Sequence, residues 1–573
     1  MIVDLLFIPA VVMILGAFIL PLLPEKTRSS AFLVFPLITL VSLWQYPNDF
    51  TMSLSFGAYE LVPVYADALS RIFGIAFALV AIIGGVYALH LKDVGQQSSA
   101  LVYAGGALGV TFAGDYFTLF VFWELMAVSS TYLIWARKTD ESDRAGMRYL
   151  IVHMFGGGLL MAGILLHFAE SGSLLIESLP YEFTLPSTLM LLGIAVNAAV
   201  PPLHAWLADA YPKATITGAI FMCAITTKSA VYVMVRLFPE WSILIWVGVM
   251  MGIYGTIFAL ISNDIRQILS YSIVSQIGYM VAGVGIGSEM ALNATTAHAV
   301  NNVLFKSLLF MGAGAVIYAT GRSKLTELGG LAPKMKAVVG LYIVGGLAVS
   351  GAPLFNGFTS KTMVVSAAGE AHLEWAMLLL TLASIGSFLH SGLKLPYFTW
   401  FGEAKEEITD LKPVPGNMIA GMGIGAFFCI LIGLYPNALY SQLPFPVDYH
   451  PYGVYHLVEM IQILVFAFIG FWLFRNKFAG TETILLDFDW FYRKARPSTE
   501  KVFVTSVDRI YGYAENATLW LAGFMTEKFK DPLVWLNPFT ETEQEAAKYS
   551  HAVEVVMSFI LLSFVVFAII YFV

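Results

Sequence analysis

An all-α protein of the lipid bilayer is the fold class this sequence predicts, on three observations. Hydrophobic residues fill 58% and charged residues 12% of its 573 positions. Mean hydropathy is +0.76. Apolar stretches of about 20 residues recur along nearly the whole length, each long enough to cross a hydrocarbon core of roughly 30 Å as a helix. Helix is required because unpaired backbone groups are costly in lipid.

Taken in order between charged or Pro/Gly-rich breaks, the spans fall near 2–23, 30–46, 66–91, 99–114, 116–136, 147–169, 187–211, 215–236, 241–262, 265–287, 290–319, 335–368, 375–400, 415–437, 452–474 and 550–572, about sixteen in all. The first, from Ile2 to Leu23, lacks a basic leader and carries Asp4, which predicts a retained span rather than a cleaved signal peptide. Loops after odd-numbered spans hold Lys26, Arg28, Lys92, Arg137, Lys138, Arg144, Lys213, Lys324, Lys334 and Lys405, with Arg148 and Arg266 at span edges beside them. Loops after even-numbered spans hold instead Asp49, Glu60, Glu170, Glu177 and Asp448. By the positive-inside rule the odd-numbered loops are cytoplasmic, and both termini of this multi-pass inner (plasma) membrane protein lie outside.

Two spans are interrupted by proline beside small residues. These are Asn197-Ala-Ala-Val-Pro201-Pro202-Leu-His204 in the seventh and Ser350-Gly-Ala-Pro353-Leu-Phe-Asn-Gly357-Phe-Thr-Ser-Lys361 in the twelfth. A broken helix frees backbone groups that only protein or water can satisfy. Their separation by five spans predicts two repeats of opposite topology with an ion path at the breaks. The chain divides accordingly into N-terminal helices (1–98), a first repeat (99–236), a second repeat (241–400), further spans (415–474), a polar segment (475–549) and a C-terminal helix (550–573). In the polar segment Phe503, Val507, Ile510, Ala514, Ala517, Leu521, Phe524 and Met525 approximate a helical stripe, predicting an amphipathic helix along the cytoplasmic face of the membrane. Pro497, Pro532 and Pro538 predict breaks in it. An ordinary folded loop is the structural alternative.

Ionisable residues inside spans are the chemical signal: Glu124, His153, His204, Lys228, His298, Lys306, Lys361 and His390. Each is expensive in hydrocarbon unless it faces a partner or water. A buried lysine loses proton affinity by desolvation and regains it when a carboxylate approaches, so such groups in series can pass a proton onward. Histidine suits a relay because its unperturbed pKa, about 6.5, lies near working pH. Taken singly, Lys306 or His390 also fits a satisfied structural group or a snorkelling side chain. Glu124 and Lys228 lie too deep in apolar spans for easy snorkelling. His298 and Asn302 precede Lys306 by eight and four residues, which puts all three on one helical face.

Other chemistry has little support. The two cysteines, Cys223 and Cys429, lie in apolar runs without metal-ligand spacing. The net charge of -8 resides in loops and tail, and no nucleic-acid signature occurs. No nucleotide loop, flavin motif or metal cluster is present, so no cofactor is expected and redox chemistry would have to come from other subunits.

Five motifs carry a resemblance: Phe122-Trp-Glu-Leu-Met, Pro-Leu-His-Ala-Trp-Leu-Ala-Asp-Ala from Pro202 to Ala210, Ser-Tyr-Ser-Ile-Val-Ser-Gln-Ile-Gly-Tyr from Ser270 to Tyr279, Leu-Phe-Lys-Ser-Leu-Leu-Phe around Lys306, and Asn-Gly-Phe-Thr-Ser-Lys ending at Lys361. Over roughly residues 60–440 the sequence resembles the antiporter-like subunits of respiratory complex I, membrane-bound hydrogenases and Mrp-type sodium/proton antiporters, the D-type subunit most of all. The resemblance implies about fourteen core helices in two inverted repeats with helices 7 and 12 broken. It implies roles for Glu124 as the fifth-helix glutamate, Lys228 as the eighth-helix lysine, His298 and Lys306 as the central relay, and Lys361 as the residue exchanging protons with the outer side. Two C-terminal helices joined by a lateral amphipathic segment are more like the terminal subunit of complex I or of a hydrogenase.

One position departs from the family. Its usual lysine seven residues before the His of Pro-Leu-His is Asn197 here, which cannot carry the charge that holds a carboxylate ionised. Glu124 is therefore expected either to pair with Lys228 or to hold its proton more tightly. The expected function is proton or Na+/H+ translocation within a multisubunit membrane assembly of Mrp, hydrogenase or complex I type, a redox-driven one included. The path would run through Glu124, Asn197, His204, Lys228, His298, Asn302, Lys306, Lys361 and His390. The alternative is a membrane scaffold or energy-coupling subunit, as of an inorganic-carbon uptake complex, with pumping altered or lost at Asn197.

Overall fold

The computed structural model describes residues 8–47, 49–57, 59–403, 410–481, 485–530 and 557–562. The chain forms two compact units, Met1–Phe488 and Asp489–Val573. Among the described residues eleven helices are long and apolar enough to cross a membrane. Three shorter apolar helices accompany them: Pro9–Leu22, Leu185–Asn197 and Lys336–Ser350. The span expected near 550–572 lies outside the described residues except for 557–562, which are helical.

The first unit opens with α1 (Pro9–Ile19) and α2 (Glu25–Gln45), followed by a hairpin of β1 (Phe50–Phe56) and β2 (Tyr59–Ala66). The hairpin occupies residues read from sequence as plain loop. It pairs antiparallel from Phe50 opposite Ala66 to Phe56 opposite Tyr59, and buries Leu61, Val62, Val64 and Ala66. Then come α3 (Ala68–Tyr87), α4 (Val94–Phe112), α5 (Tyr116–Trp135) and α6 (Asp140–Ser171). Asp67, Asp93, Asp115 and Thr139 precede these four helices, and each accepts a bond from a backbone N–H of the first turn. These short polar caps set the helix starts.

The next spans are segmented. One comprises α7 (Leu185–Asn197) and α8 (Ala205–Ala210), separated by non-helical backbone. The following one, read from sequence as a single helix over 215–236, is α9 (Gly218–Ala224) and α10 (Thr226–Leu237), divided at Ile225. No proline or glycine stands at Ile225, so composition carried no sign of it. Two uninterrupted spans follow, α11 (Ile243–Ile261) and α12 (Ile265–Ile286), then the 32-residue α13 (Glu289–Thr320). The stretch expected as one span over 335–368 is α14 (Lys336–Ser350) and α15 (Asn356–Glu370). Next, α16 (Glu374–Ser387) runs on into π-helical turns at Phe388–Lys394 and Tyr397–Phe401. The unit closes with α17 (Gly416–Leu434), α18 (Asn437–Tyr440) and α19 (Val454–Phe474).

Nearly every side chain of α12 and α13 is buried, and α13 touches α3, α9, α12, α14, α15 and α17. This pair is the axis of the unit. Small residues make the approach possible: a Cβ on Gly255 of α11 would stand 2.4 Å from the Ser275 nitrogen of α12. Gly357, at the start of α15, is tighter still, since its Cβ would stand 1.8 Å from the Ala348 carbonyl oxygen on α14. Backbone cannot swing aside, so Gly357→Ala is expected to destabilise the unit by about 1–3 kcal/mol. Thermal unfolding in detergent checks this against Gly340→Ala, whose Cβ meets nothing within 4 Å.

The second unit contains α20 (Asp489–Thr499), a π-helical turn over Glu500–Thr505, and α21 (Ser506–Lys528). Pro497 lies inside α20, close before the change from α to π geometry, while Pro532 and Pro538 lie outside the described residues. On α21 the apolar Val507, Ile510, Leu521, Phe524 and Met525 are all exposed.

Candidate functional site

The ionisable residues singled out from sequence are all placed on the segmented spans and the helices packed against them. Glu124 lies midway along α5, and neither carboxylate oxygen has a hydrogen-bond partner although both atoms are buried. Its head group occupies the place where a side chain at position 157 would begin: a Cβ on Gly157 of α6 would stand 1.6 Å from Oε1. Asn197 ends α7, is 2% exposed, and its Oδ1 also lacks a partner. His153 on α6 donates from Nδ1 to the Tyr149 carbonyl at 2.9 Å and stacks on the Tyr149 ring. Because a carbonyl only accepts, the proton sits on Nδ1, which leaves Nε2 as an unpartnered acceptor.

Lys228 does not pair with Glu124. Its fully buried ammonium donates to the Cys223 carbonyl at 2.7 Å and to Thr227 Oγ1 at 3.3 Å. The break at Ile225 explains this choice, because a carbonyl at the end of α9 is released just where the third residue of α10 can reach it. Of the two alternatives expected for Glu124, the pair with Lys228 is thereby corrected: the ammonium takes a backbone acceptor made available by an unforeseen break. Lys361 behaves alike at the other segmented span. From α15 it donates to the Val349 carbonyl near the end of α14 at 2.7 Å, and to Ser384 Oγ at 3.4 Å.

Hydroxyl groups and rings connect the second set. His298 Nδ1 lies 3.0 Å from Ser360 Oγ, one residue from Lys361, and the Tyr279 ring lies between them, 5.6 Å from the His298 ring and 5.2 Å from the Lys361 ammonium. Lys306 donates to Ser272, whose hydroxyl lies 3.4 Å from Ser391, and Ser391 lies 2.7 Å from His390 Nδ1. His390 occurs in the π-helical turn that continues α16, a geometry common at functional sites. Asn302 has no partner on either side-chain atom, and His298 and His390 each keep an unpartnered Nε2.

Beside Lys361 a cavity of about 390 Å³ opens, lined among others by Glu370, Asp448, His456 and Glu459. Its acidic rim is formed by the end of α15, the loop before α19 and α19 itself. The sequence reading singled out only Lys361 there, since the rim residues are separated by some ninety positions.

Besides the helix-capping Asp115, the buried charges Lys394 and Asp487 also escaped the sequence reading. Lys394, at the end of the π-helical turn, donates to the Leu260 and Ser262 carbonyls at 2.5 and 2.7 Å and so closes the C-terminus of α11. A lysine inside the apolar run 388–401 was the signal that could have found it. Asp487 comes from the segment after α19, read from sequence as lying along the membrane, yet it is buried beside His204. Its Oδ2 accepts from His204 Nε2 at 3.1 Å and from the Tyr271 hydroxyl at 2.6 Å, and its Oδ1 accepts from the Tyr254 hydroxyl. The other nitrogen of His204, Nδ1, has no partner among the described residues.

Comparison with known proteins places this geometry in context. Residues 113–387 match the family model described as NADH:quinone oxidoreductase/Mrp antiporter, TM. An uncharacterized protein of Methanocaldococcus jannaschii is 27% identical over 460 residues, covering 74% of this chain and 94% of the relative. The hydrogenase-4 component B of Escherichia coli is 27% identical over 414 residues, covering 64% of this chain but 62% of that longer protein. In fold, the chain is similar to one in the membrane-bound sulfane sulfur reductase, an archaeal respiratory membrane complex, with a TM-score of 0.72 at 24% identity over 96% of this chain and 99% of the other. The chain thus carries a family-level match to the antiporter-like membrane subunits of Mrp, complex I and hydrogenase-4 type, consistent with a D-type subunit.

Proposed function

We propose that this chain is the proton- or Na+/H+-translocating subunit of a multisubunit membrane complex, and that Glu124, Asn197, His204, Lys228, His298, Asn302, Lys306, Lys361 and His390 line its path. The observation that carries the reading is a set of buried groups held on hydroxyls, Lys306 and His390 joined through Ser272 and Ser391, His298 on Ser360 and Lys361 on Ser384, with Lys361 beside an open cavity. Buried polar atoms without protein partners, on Glu124, Asn197, His298, Asn302 and His390, are the groups that internal water pairs with, and a water-bridged series passes protons. Lys228 and Lys361 each take a carbonyl released by a helix break, which supports two repeats of opposite topology, 99–236 and 241–400, with spans 7 and 12 broken. The acidic cavity is then the outer mouth, and the segment after α19 lies on the cytoplasmic side. The relatives' names support membrane subunits of Mrp, hydrogenase or complex I type as partners.

One observation favours a second reading, a scaffold or energy-coupling subunit: Glu124 has no basic partner, because Asn197 stands where the family's lysine would be and Lys228 turns away. Proton flux into vesicles containing the full chain in its native assembly decides between the two. Gradient-driven flux above that of vesicles without the chain is expected, and Asn197→Lys is expected to change its rate by about tenfold by giving Glu124 a counter-charge. Absence of flux in the parent, with flux restored by Asn197→Lys, would favour the scaffold reading.

A further inference from the structure

The segment that follows α19 supplies a residue to the membrane interior. Tyr254 lies seven residues before the end of α11 and Tyr271 six after the start of α12, so Asp487 reaches about 10 Å below the helix ends. The segment needs no carboxylate to hold it there. Leu485 packs on the core, and Phe488 meets the His204 ring edge-on at 6.2 Å. Burying an ion pair is a poor means of anchoring, because desolvation offsets the attraction. What the carboxylate does supply is a fixed negative charge on one nitrogen of His204, while the opposite nitrogen is buried and without a protein partner. An imidazole held in that way has one face for a counter-ion and one for a mobile proton.

We propose that Asp487 and His204 form a proton-entry pair on the side from which this segment arrives, a proposal that rests on the translocation reading above. The incoming proton adds to the Nδ1 lone pair of His204 while Nε2–H stays on the Asp487 carboxylate. The same Nδ1–H bond breaks when the proton moves on, so the neutral ring is regenerated and nothing is oxidised or reduced. Among the described residues, the titratable Tyr254 and Tyr271 also face the pair, and both donate their hydroxyl protons to Asp487. Asp487 acts through His204 and is a positioning residue; His204 carries the proton.

The test uses vesicles containing the full chain in its native assembly, with proton flux read by a pH-sensitive dye and assembly read by chromatography. Asp487→Asn keeps the size and an acceptor oxygen for the tyrosines but removes the charge, and is expected to lower flux by about tenfold or more. His204→Gln should lose as much, Asp487→Glu should recover much of the parental rate, and the double variant Asp487→Asn/His204→Gln should be no slower than either single one, as for groups acting as a unit. Parental flux in an assembled Asp487→Asn protein would overturn the proposal while leaving the translocation reading in place, and so would losses that multiply in the double variant. Should Asp487→Asn fail to assemble, parental flux in His204→Gln overturns the proposal by itself. A parent that moves no protons overturns both readings.

Discussion

Lys361→Met is expected to reduce proton flux in vesicles by about tenfold to a hundredfold while the protein still assembles. Lys361 is 1% exposed, its ammonium is bonded to the Val349 carbonyl and Ser384, and the residue borders the cavity rimmed by Glu370, Asp448 and Glu459. A lysine so placed can lose its proton toward water and regain it from the interior, where His298 and Ser360 are its neighbours. Methionine fills the same volume without that capacity. It also leaves a buried carbonyl without its donor, at a cost of about 1–3 kcal/mol, so thermal unfolding should record a modest loss of stability beside the large loss of flux. Parental flux in an assembled Lys361→Met protein would remove this residue from the path.

Gly157→Ala is the second large effect, and its origin is steric. The added methyl would occupy the position of Glu124 Oε1, 1.6 Å away, so the carboxylate must leave the place it holds against α6. The carboxylate is the far end of a flexible side chain, so it can move at little cost in stability, and displacing it is expected to lower flux as strongly as removing it. Gly158→Ala is the matched control, since its Cβ meets nothing within 4 Å and both substitutions raise helix propensity equally. Flux should fall in the first variant and hold in the second, while both keep the parental melting temperature. Equal behaviour of the pair would mean that the carboxylate relaxes without consequence.

These expectations also bear on coupling. Among the described residues, Glu124 has no basic partner, Lys228 is committed to a backbone carbonyl and His204 is paired with a residue from beyond α19, so on the translocation reading the usual charge pair at Glu124 and position 197 is missing. The Asn197→Lys and Asp487→Asn variants therefore interrogate opposite ends of one question.

By itself the sequence determined the membrane class, the family resemblance, and most of the ionisable groups that sit inside apolar runs, because the bilayer forces long apolar helices and makes charges within them conspicuous. It marked the segmented spans at Asn197–His204 and Ser350–Lys361, because proline and small residues leave a local sign. It carried no sign of the division at Ile225, where ordinary residues occur and packing decides the backbone, nor of the hairpin at residues 50–66, whose burial depends on neighbours distant in sequence. Partners were beyond its reach for the same reason. Only the tertiary structure turned Lys228 toward the Cys223 carbonyl, left Glu124 against Gly157, and brought Asp487 to a histidine 283 residues away, since such contacts depend on which helix faces meet and not on the identity of adjacent residues.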